Sequence, residues 1–444
     1  MKISIVVPTA CLALAGVLSG QAQLAPTRPV RSAGQDVISR VTKVKGLRLA
    51  ATSLQAPPDT FCRINIGSPC YSPQEIRNAY GLTPILNAGY TGSGQTIIII
   101  DSFGSPTIAQ DLQAFDQGYG LPDPPSFTVL APLGTVPFDP TNSDQVGWAF
   151  ETTLDVEWAH AMAPGADIVL LTSPVSETEG VQGMPEFLAL EKYALDHGLG
   201  KIISQSWGAT ENTLFTPAGQ EVFKNFEDFY KLAAQQHVTV LASTGDFGSS
   251  NPDVNGNFYP FPTVGYPASS PQVTAVGGTS LYADTSGGYL YEIAWFASGG
   301  GVSQQFSEPA YQYLLPPSIQ QALGQHRGIP DLAYNADPGT TILVYATFLP
   351  PPYQGYFGIG GTSEGSPQWA GIIADANQLA GHPLGFLNPK LYGTHKSRLF
   401  HDILFGANAL NGVQGYMATK GWDFTTGWGT PDVGKLIREL AESD

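Results

Sequence analysis

The 444-residue chain is poor in charged side chains and especially in bases. Asp, Glu, Lys and Arg make up 13% of its residues, against about a quarter in a typical globular protein, whereas 42% are hydrophobic. This balance excludes an intrinsically disordered chain, because such chains are highly charged and poor in apolar residues. Lys and Arg number 20 against 37 Asp and Glu. The net charge of −17 argues against a nucleic-acid partner, since few cations are present to neutralise phosphates.

Long apolar runs are missing except at the N-terminus. There, residues 3–17 are mostly apolar, and Gly20 and Ala22 are small residues at the minus-three and minus-one positions of a signal-peptidase site. The run is shorter than the ~20 residues that a membrane span needs. We therefore expect a signal peptide at residues 1–22, secretion to the extracellular space and no membrane attachment after cleavage. An N-terminal membrane anchor is the alternative.

Cysteine is scarce as well, with only Cys11, Cys62 and Cys70 in the chain. Removal of the signal peptide would take away Cys11 and leave an even pair in an oxidising compartment. The two remaining cysteines are close in sequence, so we hypothesise that they form a local disulfide.

Charge is unevenly distributed along the chain. Residues 28–48 contain six Lys or Arg and a single acid, Asp36, whereas the remainder from residue 49 onward carries 13 bases and 36 acids, or −23. The basic segment is interpreted either as a solvated linker or as a short arm that lies on the acidic body.

The body alternates between strand and helix patterns. Residues 185–194 and 222–233 have the apolar i, i+3, i+4, i+7 spacing of amphipathic helices. Short β-branched runs, typical of strands buried on both faces of a parallel sheet, occur at 96–100, 168–172, 202–206 and 238–243. This alternation predicts an α/β domain with a mostly parallel central sheet flanked by helices. The Gly- and Pro-rich region from about residue 250 to 360 is interpreted as long loops with a few strands.

A candidate nucleophile lies in a glycine-rich loop. Ser363 belongs to residues 360–367, Gly-Gly-Thr-Ser-Glu-Gly-Ser-Pro, which lead into an apolar helix pattern. Glycines permit a substrate to approach the backbone closely, and a helix N-terminus favours an anionic oxygen. The alternative is a helix-capping serine. The letters Gly-Gly-Thr-Ser recur at residues 277–280, where no Pro-led helix follows, so we expect one of the two motifs to be only a turn.

A serine nucleophile needs a base, and the sequence offers two kinds. His160 and Asp101 would form a subtilisin-like triad with Ser363, although the glycine-flanked histidine of subtilisins is absent. Glu151 and Asp155 lie four residues apart in a helical stretch and share one helix face, where two like charges raise the proton affinity of one of them. A solvated acidic face is the alternative for this pair.

A third acid, Asp246, follows the strand pattern at 238–243 and a glycine turn. In open α/β sheets, ligands bind at the carboxyl ends of the strands, so this position suits a functional acid. The alternative is an aspartate that only stabilises the turn.

These motifs, in this order and spacing, resemble those of the sedolisins, the serine-carboxyl peptidases. The resemblance extends from about Tyr80 to the C-terminus and includes the motifs at 204–208, 327–331 and 335–338. It implies an enlarged subtilisin-like fold. The roles that it implies are Ser363 as nucleophile, Glu151 as general base, Asp155 as the acid that orients the base and shares a proton with it, Asp246 as oxyanion donor, and Ser206, Trp207 and Gly208 as substrate-binding residues.

The resemblance also implies one structural calcium ion in a C-terminal loop. Its ligands would be the side chains of Asp402 and Asp423 and the main-chain carbonyls of Ile403, Thr419 and Gly421, which are the oxygen donors that a hard cation prefers. Many family members have Gly where Thr419 stands. A capped loop without metal is the alternative.

Together these features predict a secreted, monomeric serine-carboxyl endopeptidase that acts on proteins or peptides in acid. A Glu with an ordinary pKa of ~4.3 still accepts a proton at about pH 4, where a histidine is already protonated. We expect a basic arm and linker with a short or absent prodomain at 23–75, and the peptidase domain at 76–444. A neutral subtilisin-type hydrolase that uses His160 and a non-catalytic binding protein on the same fold are the alternatives.

Overall fold

The computed structural model describes residues 54–393 and 398–442, so the predicted signal peptide and basic segment lie outside the described residues. Within these ranges the helices are α1 (Asp59–Asn65), α2 (Pro73–Ala79), α3 (Thr83–Asn87), α4 (Ile108–Tyr119), α5 (Ser143–Met162), α6 (Met184–Asp196), α7 (Pro217–Gln235), α8 (Pro317–Leu323), α9 (Gly365–Ala380), α10 (Asn388–Gly393) and α11 (Val433–Glu442).

The strands of the described residues are β1 (Cys70–Tyr71), β2 (Thr96–Ser102), β3 (Phe127–Leu130), β4 (Asp167–Ser173), β5 (Ile202–Gln205), β6 (Ala209–Thr210), β7 (Thr239–Ser243), β8 (Gly265–Tyr266), β9 (Thr274–Ala283), β10 (Tyr289–Ala294), β11 (Gly301–Ser307), β12 (His326–Ile329), β13 (Leu332–Asn335), β14 (Thr341–Ala346), β15 (Gly355–Ile359), β16 (Phe400–His401) and β17 (Thr430–Pro431).

The centre of the molecule is a sheet in the order β10-β9-β7-β5-β2-β4-β3, with β13 also paired to β9. All of these pairings are parallel except that of β10 with β9. The side chains of β2 alternate between two buried clusters: Ile97 and Ile99 pack with α5 and α9, and Ile98 and Ile100 pack with α6 and α7. Because both faces are covered, the strand is a continuous apolar run. The predicted fold class is confirmed.

The second Gly-Gly-Thr-Ser motif, at 277–280, is not the turn that was expected at one of the two motifs. These residues lie inside β9, a ten-residue strand of the central sheet. A Cβ at Gly278 would lie 2.7 Å from the Ala336 Cβ and 3.0 Å from the Trp295 ring. The glycine therefore allows close packing against the strand and does not reverse the chain. The region predicted as mainly loops contains the strands from β8 to β15.

The first described residues are part of the folded body. Cys62 and Cys70 form a disulfide, which confirms the hypothesised pair. Cys70 and Tyr71 form β1, which pairs in parallel with β14, and Tyr71 is fully buried. The compact body thus includes residues that precede position 76. Among the described helices, none is both long enough and apolar enough to cross a bilayer.

Candidate active site

Helix α5 carries the two acidic residues predicted as base and partner. Glu151 and Asp155 are fully buried, so the alternative of a solvated acidic face is wrong. The helix packs closely against α9, which begins just after the candidate nucleophile. A Cβ at Gly371 of α9 would lie 2.6 Å from the Met162 Cβ and 3.0 Å from the Ala159 carbonyl oxygen of α5. This glycine therefore sets the distance between the helix that holds the acids and the segment that holds the serine.

Ser363 lies in a 3-10 turn, Thr362–Glu364, that leads directly into α9. The N-cap of α9 is Glu364, so the interpretation of Ser363 as a capping serine is wrong. The Ser206 hydroxyl donates to Asp155 Oδ1 at 2.8 Å and lies 3.4 Å from the main-chain oxygen of Ser363. Ser206 thus connects the acid on α5 to the turn that holds the serine.

Asp246 is hydrogen-bonded to the same turn. Its Oδ1 accepts hydrogen bonds from the Thr362 amide at 2.8 Å and from the Thr362 hydroxyl at 3.0 Å. The Gly245 amide donates to the Thr362 hydroxyl oxygen at 2.9 Å, and Gly245 has a φ of 96°, which favours glycine. The structure therefore connects both acids to the Ser363 turn, Asp246 through Thr362 and Asp155 through Ser206. Thr362 is a positioning residue that the sequence did not reveal.

Glu151 and Asp155 interact electrostatically with a third fully buried acid, Asp101 of β2, and the three form a buried carboxyl cluster. Burial raises the pKa of Asp155 well above its ordinary value, and the negative charges of Asp101 and Glu151 raise it further, against the opposing effect of the Ser206 hydroxyl. Burial also raises the pKa of Asp101 to about 7, partly offset by the Thr152 hydroxyl. These raised pKa values favour the retention of a proton by the cluster in acid.

His160 is fully buried on α5 but belongs to a different environment. Its Nε2 lies 2.8 Å from the Pro122 carbonyl oxygen and 3.3 Å from Asp116 Oδ1. Its Nδ1 makes no hydrogen bond to any of the described residues. Neither ring nitrogen contacts Asp101 or Ser363, so the structure does not support the predicted alternative of a subtilisin-like triad.

The comparisons with known proteins agree with this geometry. The model of the subtilase family matches residues 138–429. Kumamolisin from Bacillus sp. (strain MN-32) is 34% identical over 386 residues, which are 84% of this chain and 64% of that protein. Sedolisin from Pseudomonas sp. (strain 101) is 31% identical over 363 residues, which are 78% of this chain and 58% of that protein. The solved structure of Pseudomonas sedolisin, a serine-carboxyl proteinase complexed with two molecules of pseudo-iodotyrostatin, matches with a TM-score of 0.69 and 29% identity, covering 84% of this chain and 98% of that one.

This chain belongs to the sedolisin family. The family is one of serine-type peptidases, a class of hydrolase, with a subtilisin-like fold. The chain spans about three fifths of the length of the two curated relatives.

The three predicted substrate-binding residues have different surroundings. Ser206 is occupied by the hydrogen bond to Asp155. The Trp207 ring is fully buried, with ring centroids 4.6 Å from Phe187 and 6.0 Å from Phe226, so its side chain belongs to the core. Gly208 lines a small pocket together with Gly245, whose amide is hydrogen-bonded to Thr362. Contact with a substrate at this segment would therefore come mainly from the main chain.

The residues predicted to bind calcium lie in one loop region near the C-terminus. Both oxygens of Asp402 accept from the Gly421 amide, at 3.0 and 3.1 Å, and Asp423 Oδ2 accepts from the Thr419 amide at 2.8 Å. Asp423 Oδ1 also accepts from the amides of Thr425 and Thr426. Both carboxylates thus accept hydrogen bonds from main-chain amides of the segment 419–421. Among the described residues, no group of three or more Asp, Glu, His or Cys side chains could hold a metal ion.

Proposed function

We propose that this chain is a secreted serine-carboxyl endopeptidase that hydrolyses peptide bonds in acid through an acyl-enzyme on Ser363. The observation that carries the proposal is the buried carboxyl cluster of Asp101, Glu151 and Asp155, joined to the serine turn by the Ser206 hydroxyl. A buried cluster that retains a proton is costly to fold and is more common at catalytic sites than elsewhere. The matches to kumamolisin and sedolisin support the same reaction class.

In the proposed mechanism, Glu151 is the general base. It takes the hydroxyl proton of Ser363 as the serine oxygen bonds to the carbonyl carbon of the substrate, and it returns that proton to the nitrogen of the departing amine. Water then attacks the ester carbonyl carbon and loses a proton to Glu151. Glu151 passes that proton to the Ser363 oxygen as the acyl carbon–oxygen bond breaks, which releases the acid product and restores the free serine. Asp155 shares a proton with Glu151 and so keeps the base oriented, while Ser206 holds Asp155 in place.

Asp246 would stabilise the oxyanion as a neutral carboxylic acid. The two hydrogen bonds from Thr362 fix Oδ1 as an acceptor, so a proton on this carboxyl group resides on Oδ2. A protonated Oδ2 can donate to the oxygen that becomes negative when the serine attacks. Acid solution favours this protonated form. The oxyanion donor and the Glu151 base can therefore both function at the same acid pH.

Digestion of an unfolded protein at about pH 4 tests the proposal. Fragments identified by mass spectrometry should come from internal cleavages, and a peptide with a blocked N-terminus should be cleaved as well, because an endopeptidase needs no free amine. The Ser363→Ala protein provides the matched control and should release no fragments. Fragments that appear equally with this variant would come from a contaminant and would refute the proposal.

The buried acids also predict that the fold is more stable in acid than at neutral pH. Burial raises the pKa of Asp101 and of Glu227 to about 7 in the native state. Since each folded pKa lies above the ordinary value near 4, the native protein binds more protons than the unfolded chain between about pH 4 and pH 7, and the free energy of unfolding falls as the pH rises through that window. Each group accounts for about 3 to 4 kcal/mol at most.

Urea unfolding of the Ser363→Ala protein at pH 4 and at pH 7 measures this effect without self-digestion. We expect a lower midpoint at pH 7. Glu227→Gln keeps a neutral side chain at both pH values and should reduce the difference. An equal or higher midpoint at pH 7 would contradict the assignment of these carboxyl groups as buried and neutral in acid.

We further propose that one calcium ion stabilises the C-terminal loop. The donor set fits a hard cation: the Asp402 and Asp423 carboxylates lie on the same turn, and the main-chain oxygens of Ile403, Thr419 and Gly421 would complete an all-oxygen shell. When bound, the ion would neutralise the two carboxylates and hold the loop. It would take no part in the reaction.

Chelation is expected to lower the melting temperature of the protein, because an ion that binds only the native state stabilises it by mass action. Asp423→Ala should lower the melting temperature and abolish the response to chelator. Asp228→Ala, which removes an exposed acid from α7, serves as the control. If chelation still lowered the melting temperature of Asp423→Ala, this loop would not be the calcium site.

A further inference from the structure

A buried acid directly follows the proposed nucleophile and has no part in the mechanism described above. Glu364 closes the 3-10 turn that contains Ser363, and α9 begins at the next residue. The Glu364 side chain is fully buried, as are those of Thr362 and Ser363 in the same turn. Packing alone does not account for an acid at this position, because a carboxyl group is seldom fully buried without a partner of opposite charge.

The Glu364 carboxyl group is held by a buried asparagine. Its Oε1 accepts a hydrogen bond from Asn335 Nδ2 at 2.8 Å. The Asn335 side chain is itself fixed, since Nδ2 also donates to the Thr340 carbonyl oxygen at 2.8 Å and Oδ1 accepts from the Leu281 amide at 3.0 Å and from the Thr340 hydroxyl at 2.8 Å. Leu281 belongs to β9 and Asn335 to β13. These bonds therefore connect the residue after the nucleophile to two strands of the central sheet.

The electrostatic surroundings of this carboxyl group favour its neutral form. Burial raises the pKa of Glu364 well above its ordinary value and the negative charge of Asp337 raises it further, while the polar side chains of Asn335 and Gln368 partly oppose both effects. Other titratable groups around the turn are acids or tyrosines: Tyr80, Glu292 and Tyr334, with Asp155 and Asp246 hydrogen-bonded to or through the turn. Within the described part of the chain, no cation acts on Glu364. The neutral, protonated acid is therefore the form that fits this site.

A proton on Glu364 is compatible with the hydrogen bonds that hold it. Oε1 is the acceptor for Asn335, whereas Oε2 makes no hydrogen bond to any of the described residues. A proton on Oε2 therefore disturbs no contact. Loss of that proton leaves a buried negative charge without a cation, which is relieved when the side chain moves or water enters. Either response shifts the turn that carries Ser363, and a displacement of about 1 Å at a reacting group costs ~10²-fold in rate.

We propose that Glu364 is a positioning residue for the reaction: in its neutral form it holds the Ser363 turn against Asn335, and its ionisation releases the turn and lowers kcat. This inference rests on the proposed peptidase function. It adds to that function a second proton, outside the carboxyl cluster of Asp101, Glu151 and Asp155, on which activity depends. Because Glu364 is fully buried and does not contact substrate, its replacement should change kcat and leave KM nearly unchanged.

Two substitutions of Glu364 separate the hydrogen bond from the charge. Glu364→Gln is neutral at every pH, and its amide oxygen can still accept from Asn335, so kcat at pH 4 should stay within about threefold of that of the unaltered protein. Glu364→Ala removes the acceptor and should lower kcat by about 10- to 100-fold. The matched controls are Glu157→Gln and Glu157→Ala, because Glu157 is as deeply buried but accepts from the Tyr345 amide. They should lower the melting temperature and leave kcat nearly unchanged.

The ratio of kcat at pH 6.5 to kcat at pH 4 is a readout that a purely structural role would not change. The carboxyl cluster loses its proton in every protein of the series, whereas the Glu364 proton is absent from Glu364→Gln. We therefore expect this ratio to be at least about threefold higher in Glu364→Gln than in the unaltered protein. Glu157→Gln should show the same ratio as the unaltered protein. If Glu364→Ala does not fold, the ratio in Glu364→Gln decides the test.

Three results would overturn the inference while the peptidase proposal stands. Equal pH ratios in Glu364→Gln and the unaltered protein would show that the Glu364 proton does not control activity. A kcat at pH 4 as low in Glu364→Gln as in Glu364→Ala would show that a neutral acceptor for Asn335 is not sufficient. A lower melting temperature in Glu364→Ala with unchanged kcat would show that Glu364 only stabilises the fold. Failure of the unaltered protein to cleave any peptide, with no difference from Ser363→Ala, would instead refute the proposed function itself.

Discussion

Replacing Ser363 with alanine is expected to lower kcat for peptide hydrolysis by about 10⁴- to 10⁶-fold, the range for removing the nucleophile from a serine peptidase. The substitution removes one oxygen from a fully buried position in the 3-10 turn, so the melting temperature should change little. Steady-state hydrolysis of a quenched peptide at about pH 4, together with thermal unfolding, measures both effects.

The matched control for this variant is Ser366→Ala in the first turn of α9. Ser366 is also fully buried, and its hydroxyl lies 2.9 Å from that of Ser204, so it has a structural hydrogen bond but no proposed chemical role. We expect Ser366→Ala to lower the melting temperature while kcat stays within about tenfold. If Ser363→Ala retained kcat and Ser366→Ala lost it, the nucleophile would be assigned to the wrong serine.

Glu151→Gln and Asp155→Asn should each lower kcat by about 10²- to 10⁴-fold, the usual contribution of a positioned general base. Glu151→Gln removes the proton acceptor, and Asp155→Asn removes the proton that the pair shares. Because the two residues act as a unit, the double variant should be little worse than either single one. Initial rates at saturating peptide concentration provide the comparison.

Glu157→Gln gives a control on the same helix. Glu157 is as deeply buried as Glu151, but its Oε2 accepts from the Tyr345 amide and it faces β14. We expect this variant to affect stability and to leave kcat nearly unchanged. Two results would contradict the role of Glu151 as general base. One is a wild-type kcat in Glu151→Gln, and the other is a loss of kcat in Glu157→Gln as large as that in Glu151→Gln.

The central sheet could be predicted from the sequence because strands buried on both faces have uninterrupted runs of apolar, β-branched residues. The run at β2 and its parallel neighbours carry this signal directly. The Gly-Gly-Thr-Ser repeat at 277–280 misled the prediction for a physical reason: a glycine that reverses the chain and one that admits a neighbouring side chain look identical in sequence. Contact with Ala336 and Trp295, which belong to distant segments, decides between the two.

Part of the candidate site could also be predicted from local sequence patterns. The i, i+4 spacing of Glu151 and Asp155 is a local signal, and so is the glycine-rich turn around Ser363. Asp101 was considered only as a triad member, because its position against Asp155 depends on how β2 packs on α5.

The pH dependence of kcat/KM tests the central claim, that a carboxyl pair and not a histidine activates Ser363. Between pH 3 and pH 8 on a peptide substrate, we predict the highest values in acid and a decline as the pH rises through the raised pKa values of the buried carboxyl cluster, because the proton shared by Glu151 and Asp155 is then lost. His160→Ala should show the same profile. An increase through an apparent pKa of ~6.5 to a neutral plateau that disappears in His160→Ala would contradict the account.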